Sequence, residues 1–202
     1  MICRVLGLRT LFVLWVGIAV ALGCAHPPMG FPGPLPTPSG NPSPTPSGSP
    51  TPSTCATQDP AATLVYMSAN AAPTIDPTYG PLFGYTDSLD AFNNPTPTHI
   101  LSVHTGTNVQ FVNFDASENH AAAALSGATF PPATPNPFPT NANQAIGTSI
   151  STSPWSTGIV PPFSAIFCFS QSFTTPVTGT YLFGEPATYA ATNTRDVLNV
   201  TP

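Results

Sequence analysis

Few side chains in this sequence are of types that do chemistry. Three histidines, His99, His104 and His120, lie in its middle third, with Cys55 and Cys168 on either side and Asp115, Glu118 and Glu185 nearby in sequence. Imidazole, thiolate and carboxylate are the donors from which protein metal sites are built. His99 and His104 are five residues apart, so on one straight strand they face opposite ways, roughly 16 Å apart, and do not chelate together. His120 is the better candidate, with Glu185 or Cys168 as its partner. Asp115 and Glu118 have the look of paired carboxylates, but acids beside a strand end read as solvated turn residues. Trp155 and Tyr79 could present an aromatic platform to a ligand such as a glycan, though core or loop packing is the commoner use of such residues. No GxSxG, HExxH, phosphate-cradling glycine loop or CxxC occurs. The expected role is therefore binding or structural rather than enzymatic.

The elements that would position these residues read as short strands. Ala61 to Ala69, Thr98 to His104, Asn108 to Phe114 and His120 to Ser126 are candidates, the last weak and Ala-rich. Ala165 to Phe169 is an unbroken apolar run. Pro176 to Gly179 is a turn, Thr180 to Phe183 a β-branched and aromatic strand, and Thr194 to Thr201 a closing strand. Residues 70–97 and 130–153 are rich in Pro, Gly and Asn and read as long insertions. The first of these would pack on the domain through Tyr79, Phe83, Tyr85 and Phe92. No long segment has a helical apolar period. About seven short strands with such punctuation predict an all-β, antiparallel Greek-key sandwich over residues 55–202.

Charge is scarce. Only 5% of the 202 residues are charged, and the three cations are Arg4, Arg9 and Arg195. All eight acids lie past residue 50, against Arg195 alone. Such a chain cannot neutralise phosphates, so nucleic acid is excluded as a partner, and attraction to an anionic lipid surface is unsupported.

The N-terminus carries two Arg and then Leu11 to Leu22, a twelve-residue apolar run. That is short for a spanning helix and right for a signal-peptide core. It ends in Ala21-Leu22-Gly23-Cys24, which resembles the bacterial lipobox. The resemblance implies a leader over 1–23, acylation of Cys24 and a lipid membrane as partner. The location would be the bacterial cell envelope, periplasmic or cell-surface, with the outer membrane favoured in a Gram-negative cell. Residues 24–54 then read as a tether of Pro, Ser, Thr and Gly, without helix or sheet. Extended, its Pro-rich part would span up to roughly 80 Å. An exported chain with Cys55 and Cys168 past the tether suggests a disulfide between them, worth roughly 4 to 5 kcal/mol in the chain-entropy model. The alternative is that Cys168 is a buried thiol or a metal ligand.

Three pieces, in order, resemble the cupredoxins. Val103 to Asp115 (VHTGTNVQFVNFD) looks like that family's strand, Gly turn and strand ending in Asn-x-Asp. His120 follows where the family places its first copper-ligating His. Trp155 to Tyr181 looks like its later turn–strand–turn, with Pro162-Phe163 in place of Pro-Gly and Val177-Thr178 inserted. The resemblance implies a Greek-key sandwich and, in the family, a type 1 copper centre of two imidazoles, a thiolate and a weak axial ligand. Counted from Tyr181, the thiolate position is Glu185, the second His position about Thr188 and the axial position about Asn193. Residues 180–202 hold no Cys, His or Met. The expectation is thus a cupredoxin-like domain without a type 1 copper centre and with an unknown protein or glycan partner. Copper held by His120 with Glu185 in a non-standard site is the alternative.

Overall fold

The structure is a computed structural model that describes residues 55–163 and 166–202. The expected leader, Cys24 and the tether lie outside the described residues. The strands in chain order are β1 (Ala62–Met67), β2 (Thr74–Asp76), β3 (Gly80–Leu82), β4 (Tyr85–Thr86), β5 (Leu101–His104), β6 (Asn108–Asn113) and β7 (Ala123–Ala124). They continue with β8 (Ala145–Ile146), β9 (Ser156–Thr157), β10 (Cys168–Thr174), β11 (Gly179–Gly184) and β12 (Arg195–Thr201), with one short helix, α1 (Tyr189–Thr192), before β12.

Two sheets form an all-β sandwich. One has the order β10-β6-β1-β4 and the other β5-β12-β11-β7-β9-β8, while β2 and β3 make a separate hairpin. The chain crosses between the sheets at β4 to β5, β5 to β6, β6 to β7, β9 to β10 and β10 to β11. The expected antiparallel pairing holds for most neighbours, but β1 runs parallel to β6 over six residue pairs and β12 parallel to β5 over four. These parallel pairs follow from strands brought together by crossing rather than by hairpins.

Alternation decides which way each side chain points. Phe183 and Leu198 face inward, while Leu182 and Val197, one residue away, face outward. The inner core joins Val65, Phe111 and Phe173 of one sheet to Leu101, Phe183 and Val200 of the other. At its centre Trp155 stacks on Phe111 with ring centroids 5.8 Å apart and lies 5.3 Å from Phe173. A second apolar layer covers the outer face of the larger sheet, where Phe138, Ala142 and Tyr189 close over Leu125, Leu182 and Val197. The two long insertions supply much of this cover, as Tyr79 packs edge-on to Phe130 and the Arg195 guanidinium lies 4.4 Å above the same ring.

Cys55 and Cys168 are joined in a disulfide across a sequence separation of 113. It fastens the start of the domain to β10, where Ala56 also donates its backbone N–H to Phe169 O. Beside it, Gln110 is 1% exposed and fully paired. Its amide donates to Thr57 O and Ser170 O, and its oxygen accepts from Asp59 N.

Several expectations change. Of the apolar run expected to form a strand up to Phe169, Ile166 and Phe167 lie before the strand that forms. Ile166 is 74% exposed, Phe167 39% exposed, and β10 begins only at Cys168 and runs on through polar Ser170 to Ser172. Phe92 does not pack on the domain and is 83% exposed, whereas Tyr85 is buried and donates its hydroxyl to Ala121 O at 2.9 Å. The ligand platform does not form. Trp155 is 1% exposed inside the sandwich, and Tyr79 belongs to the outer cover. Replacing Trp155 with Ala removes the centre of the core, so denaturant unfolding should show a loss of about 3–5 kcal/mol.

Candidate functional site: a buried carboxylate–imidazole–carboxylate cluster

One end of the sandwich gathers the candidate residues. β1 ends at Met67, and Ser68, Ala69 and Asn70 continue from it. β6 ends at Asn113, two residues before Asp115. Asn113 shapes the following loop: its amide donates to Glu118 O at 2.7 Å and Val160 O at 2.9 Å, and its oxygen accepts from Asp115 N. That places His120 in a backbone pair with Val160, and β7 follows. From the other side β11 delivers Glu185, whose backbone N–H bonds Thr194 O and whose carbonyl accepts from Tyr189 N to start α1. Asn193 closes that turn in the left-handed region, φ 55°, as helix-ending residues do. Gly84 sits against this turn at φ +91°, and a Cβ there would come within 2.5 Å of Thr194 Cγ2. Only glycine satisfies both demands.

His120 is held from both edges of its ring. Nε2 lies 2.7 Å from Asp115 Oδ2 and Nδ1 lies 3.0 Å from Glu185 Oε1. All three side chains are buried, at 6%, 7% and 3% exposure. The carboxylates are anchored in turn. Asp115 accepts from Ser68 Oγ at 2.7 Å, Ala69 N at 2.8 Å and Asn70 Nδ2 at 3.2 Å. Glu185 Oε2 accepts from Thr188 Oγ1 at 2.7 Å. Ionised carboxylates only accept, so both ring nitrogens donate and the ring is an imidazolium. Burial alone would push the His120 pKa down, but the hydrogen bonds and charges of Asp115 and Glu185 outweigh it and raise it to about 9. Burial likewise opposes ionisation of Asp115, and its bonds from His120, Ala69 and Ser68 hold it below the usual carboxylate range.

The other candidates lie elsewhere. His99 is half-exposed and pairs with Asp87 at 2.9 Å, and His104 bonds the carbonyl of Pro202 at 2.8 Å. Cys168 is committed to its disulfide. Sequence reading paired His120 with Glu185, and the two are in contact. It missed Asp115, read as a solvated turn acid and in fact 6% exposed. The Asn-x-Asp ending of β6 was the available signal, since it places the acid where Asn113 can orient its backbone.

The donor set does not fit a type 1 copper centre, which takes two imidazoles and a thiolate. Among the described residues the site holds one imidazole, both of whose nitrogens are engaged. Thr188 and Asn193 stand near the positions expected for the other ligands, and Thr188 serves as a donor to Glu185. A cavity of about 170 Å³ adjoins the cluster, and His120 and Glu185 line it together with Phe83, Gly84, Glu118 and Thr194. A third buried acid, Asp196, lies outside the cluster. Its Oδ1 accepts from its neighbour Val197 N, Oδ2 has no partner, and burial pushes its carboxyl well above the usual range.

No protein-family model matches the sequence, and no curated protein matches it. Solved structures do. Reduced auracyanin from the photosynthetic bacterium Roseiflexus castenholzii is 19% identical over 70% of this chain and 99% of that one, with a TM-score of 0.38. Rusticyanin from Thiobacillus ferrooxidans is 16% identical over 74% and 88%, with a TM-score of 0.38. Auracyanin A, a "blue" copper protein from Chloroflexus aurantiacus, is 20% identical over 52% and 86%, with a TM-score of 0.33. Likeness at these levels says nothing of what this chain binds.

The cluster gives a pH dependence of defined sign. The folded pKa of His120, about 9, lies above the ordinary imidazole value of 6.5. Its contribution, about 3 kcal/mol, is full below pH 6.5 and lost as pH rises through 9. Asp196 works in the same direction from pH 3.8 upward, because its folded form favours the protonated acid. Urea unfolding in an Asp196→Asn background, from pH 6 to 10, isolates the His120 part. That slope should vanish when His120→Ala is combined with Asp115→Asn and Glu185→Gln, whereas His120→Ala alone should lose about 3–5 kcal/mol at pH 6 by stranding two buried carboxylates.

Proposed function

We propose that the protein is a membrane-tethered extracytoplasmic lipoprotein whose sandwich is a cupredoxin-like binding or structural domain without a type 1 copper centre. One observation carries the copper-free reading: both nitrogens of His120 lie against buried carboxylates, at 2.7 and 3.0 Å, contacts that an imidazolium meets by donating twice, with no lone pair left for a metal. Glu185 at the expected thiolate position supports it. The export reading is supported by the disulfide, since such bonds persist in oxidising compartments. It is also supported by the apolar run ending at Gly23-Cys24 and the Pro-rich segment that follows. In this reading Cys24 carries the lipid, residues 25–54 hold the domain away from the bilayer, and the insertions provide the contact surface for a protein or glycan.

A metal-binding alternative has one observation in its favour. Ligand atoms of Asp115, Glu118 and His120 lie within 4.8 Å of one another. To use them a metal must displace the proton on His120 Nε2 and the bond to Asp115. Titrating the purified protein with Cu(II) at neutral pH separates the two readings. The expected result is no stoichiometric site and no intense visible charge-transfer band. A stoichiometric site that competes with a chelator would overturn the copper-free reading. The anchor has its own check: in the producing cell the wild-type chain should partition into detergent and a Cys24→Ser form should stay in the aqueous phase. Equal partitioning of both would remove Cys24 as the lipid attachment.

A further inference from the structure

The cavity of about 170 Å³ beside the His120 cluster joins largely apolar walls to an excess of negative charge. Phe83, Gly84 and Ala69 bring no charge and no polar side-chain atom to its lining. The hydroxyls that line it are already engaged. Ser68 Oγ donates to Asp115, Thr188 Oγ1 donates to Glu185, and the hydroxyls of Thr192 and Thr194 bond each other at 2.7 Å. Both ring nitrogens of His120 face carboxylates. A space of this size takes a body of about six heavy atoms, as an apolar cavity of about 150 Å³ takes benzene.

Charge decides what kind of body fits. Ligand atoms of Asp115, Glu118 and His120 lie within 4.8 Å of one another, and Glu185 contacts the same ring. Three carboxylates against one imidazolium leave two negative charges uncompensated. Arg195, the one Lys or Arg past residue 50, is engaged elsewhere: its guanidinium lies over Phe130 and its Nε donates to Pro81 O. The site therefore selects a cation. A primary ammonium brings three N–H donors that each need an acceptor, and walls of this kind do not supply them. A methylated ammonium carries its charge without N–H groups to satisfy, and an aromatic face beside it adds cation–π attraction. We propose that this cavity binds the methylated ammonium head of a small organic cation, with the Phe83 ring against the methyl groups and the exposed Glu118 carboxylate nearby. The assignment rests on the copper-free reading, because a divalent metal at His120 would cancel the excess charge that selects the ligand.

The test is an NMR titration of the purified protein at neutral pH with two probes: choline, and neohexyl alcohol, which has carbon in place of the nitrogen. Choline should bind about tenfold more tightly than the alcohol. Equal affinity, or no binding of choline, overturns the proposal. Glu118→Gln, a change at the surface, should weaken choline about threefold and leave the alcohol unchanged. Phe83→Leu keeps an apolar wall without the ring, and should weaken choline about fivefold and the alcohol by less than about twofold. Choline affinity that neither variant changes places the binding elsewhere and overturns the site. Phosphocholine, the same head as a lipid bears it, should bind more weakly than choline because Glu118 repels its phosphate. Tighter binding of phosphocholine would overturn the charge assignment. Repeating the choline titration after treatment with a chelator separates this proposal from the reading beneath it. Binding that appears only after chelation overturns both, whereas no binding in either state, with no stoichiometric copper site, overturns the cavity assignment alone.

Discussion

The end of the sandwich depends on placing a positive ring between two buried negative charges. Removing three charges from water costs several kcal/mol for each ion, and the mutual attraction repays this only when every remaining oxygen and nitrogen is satisfied. Asp115, His120 and Glu185 meet that condition with donors from Ser68, Ala69, Asn70 and Thr188. These residues come from the loop after β1, the loop between β6 and β7, and the turn into α1. The cluster therefore ties loops of both sheets to one another. Its geometry fixes much else nearby: the Asn113 bonds that shape the β6–β7 loop, the backbone pair of His120 with Val160, and the close approach of Gly84 to Thr194.

The long strands of this fold were legible because their side chains had to alternate or be buried on both sides. β1, β6, β11 and β12 fall within a residue or two of where apolar and β-branched runs place them. Local pattern failed where a neighbour supplied the stabilisation. β10 was expected to stop at Phe169, before Ser170, Gln171 and Ser172. Those polar residues span a register shift, where Ser170 Oγ accepts from Phe111 N and Gln171 donates to Ser156 O. The two-residue strands β4, β8 and β9 have no signature of their own: β4 exists only as an edge on β1, while β9 and β8 extend the larger sheet beyond β7, which occupies two residues of the expected His120–Ser126 strand. The parallel pairings were equally hidden, because they are properties of how the chain crosses and not of any one segment.

The site was half legible. A chemical count from Tyr181 put Glu185 opposite His120, and the fold brings them to 3.0 Å. Asp115 was passed over because an acid two residues beyond a strand is solvated unless something far off buries it. Here the burial and two of the donors come from Ser68 and Ala69, more than forty residues away in sequence. Trp155 could be read as a ligand platform or as packing, and the structure takes the second. A Trp beside Ser, Pro and Gly looks like a loop platform, but two residues of β9 turn it inward onto Phe111.

The identity of residue 185 decides what kind of cation this pocket can hold. A thiolate there would offer soft electron density to a metal and leave the imidazole free to donate a lone pair. A carboxylate with a second carboxylate opposite demands positive charge on the ring itself, and a proton is the smallest way to supply it. Once His120 is protonated on both nitrogens, it can no longer act as a ligand, and its pKa of about 9 keeps it so at neutral pH. A metal would have to expel that proton and break hydrogen bonds at Asp115 or Glu185 while both acids stay buried. The same three side chains join the loops of both sheets through hydrogen bonds. Stability at this end of the domain is coupled to proton activity.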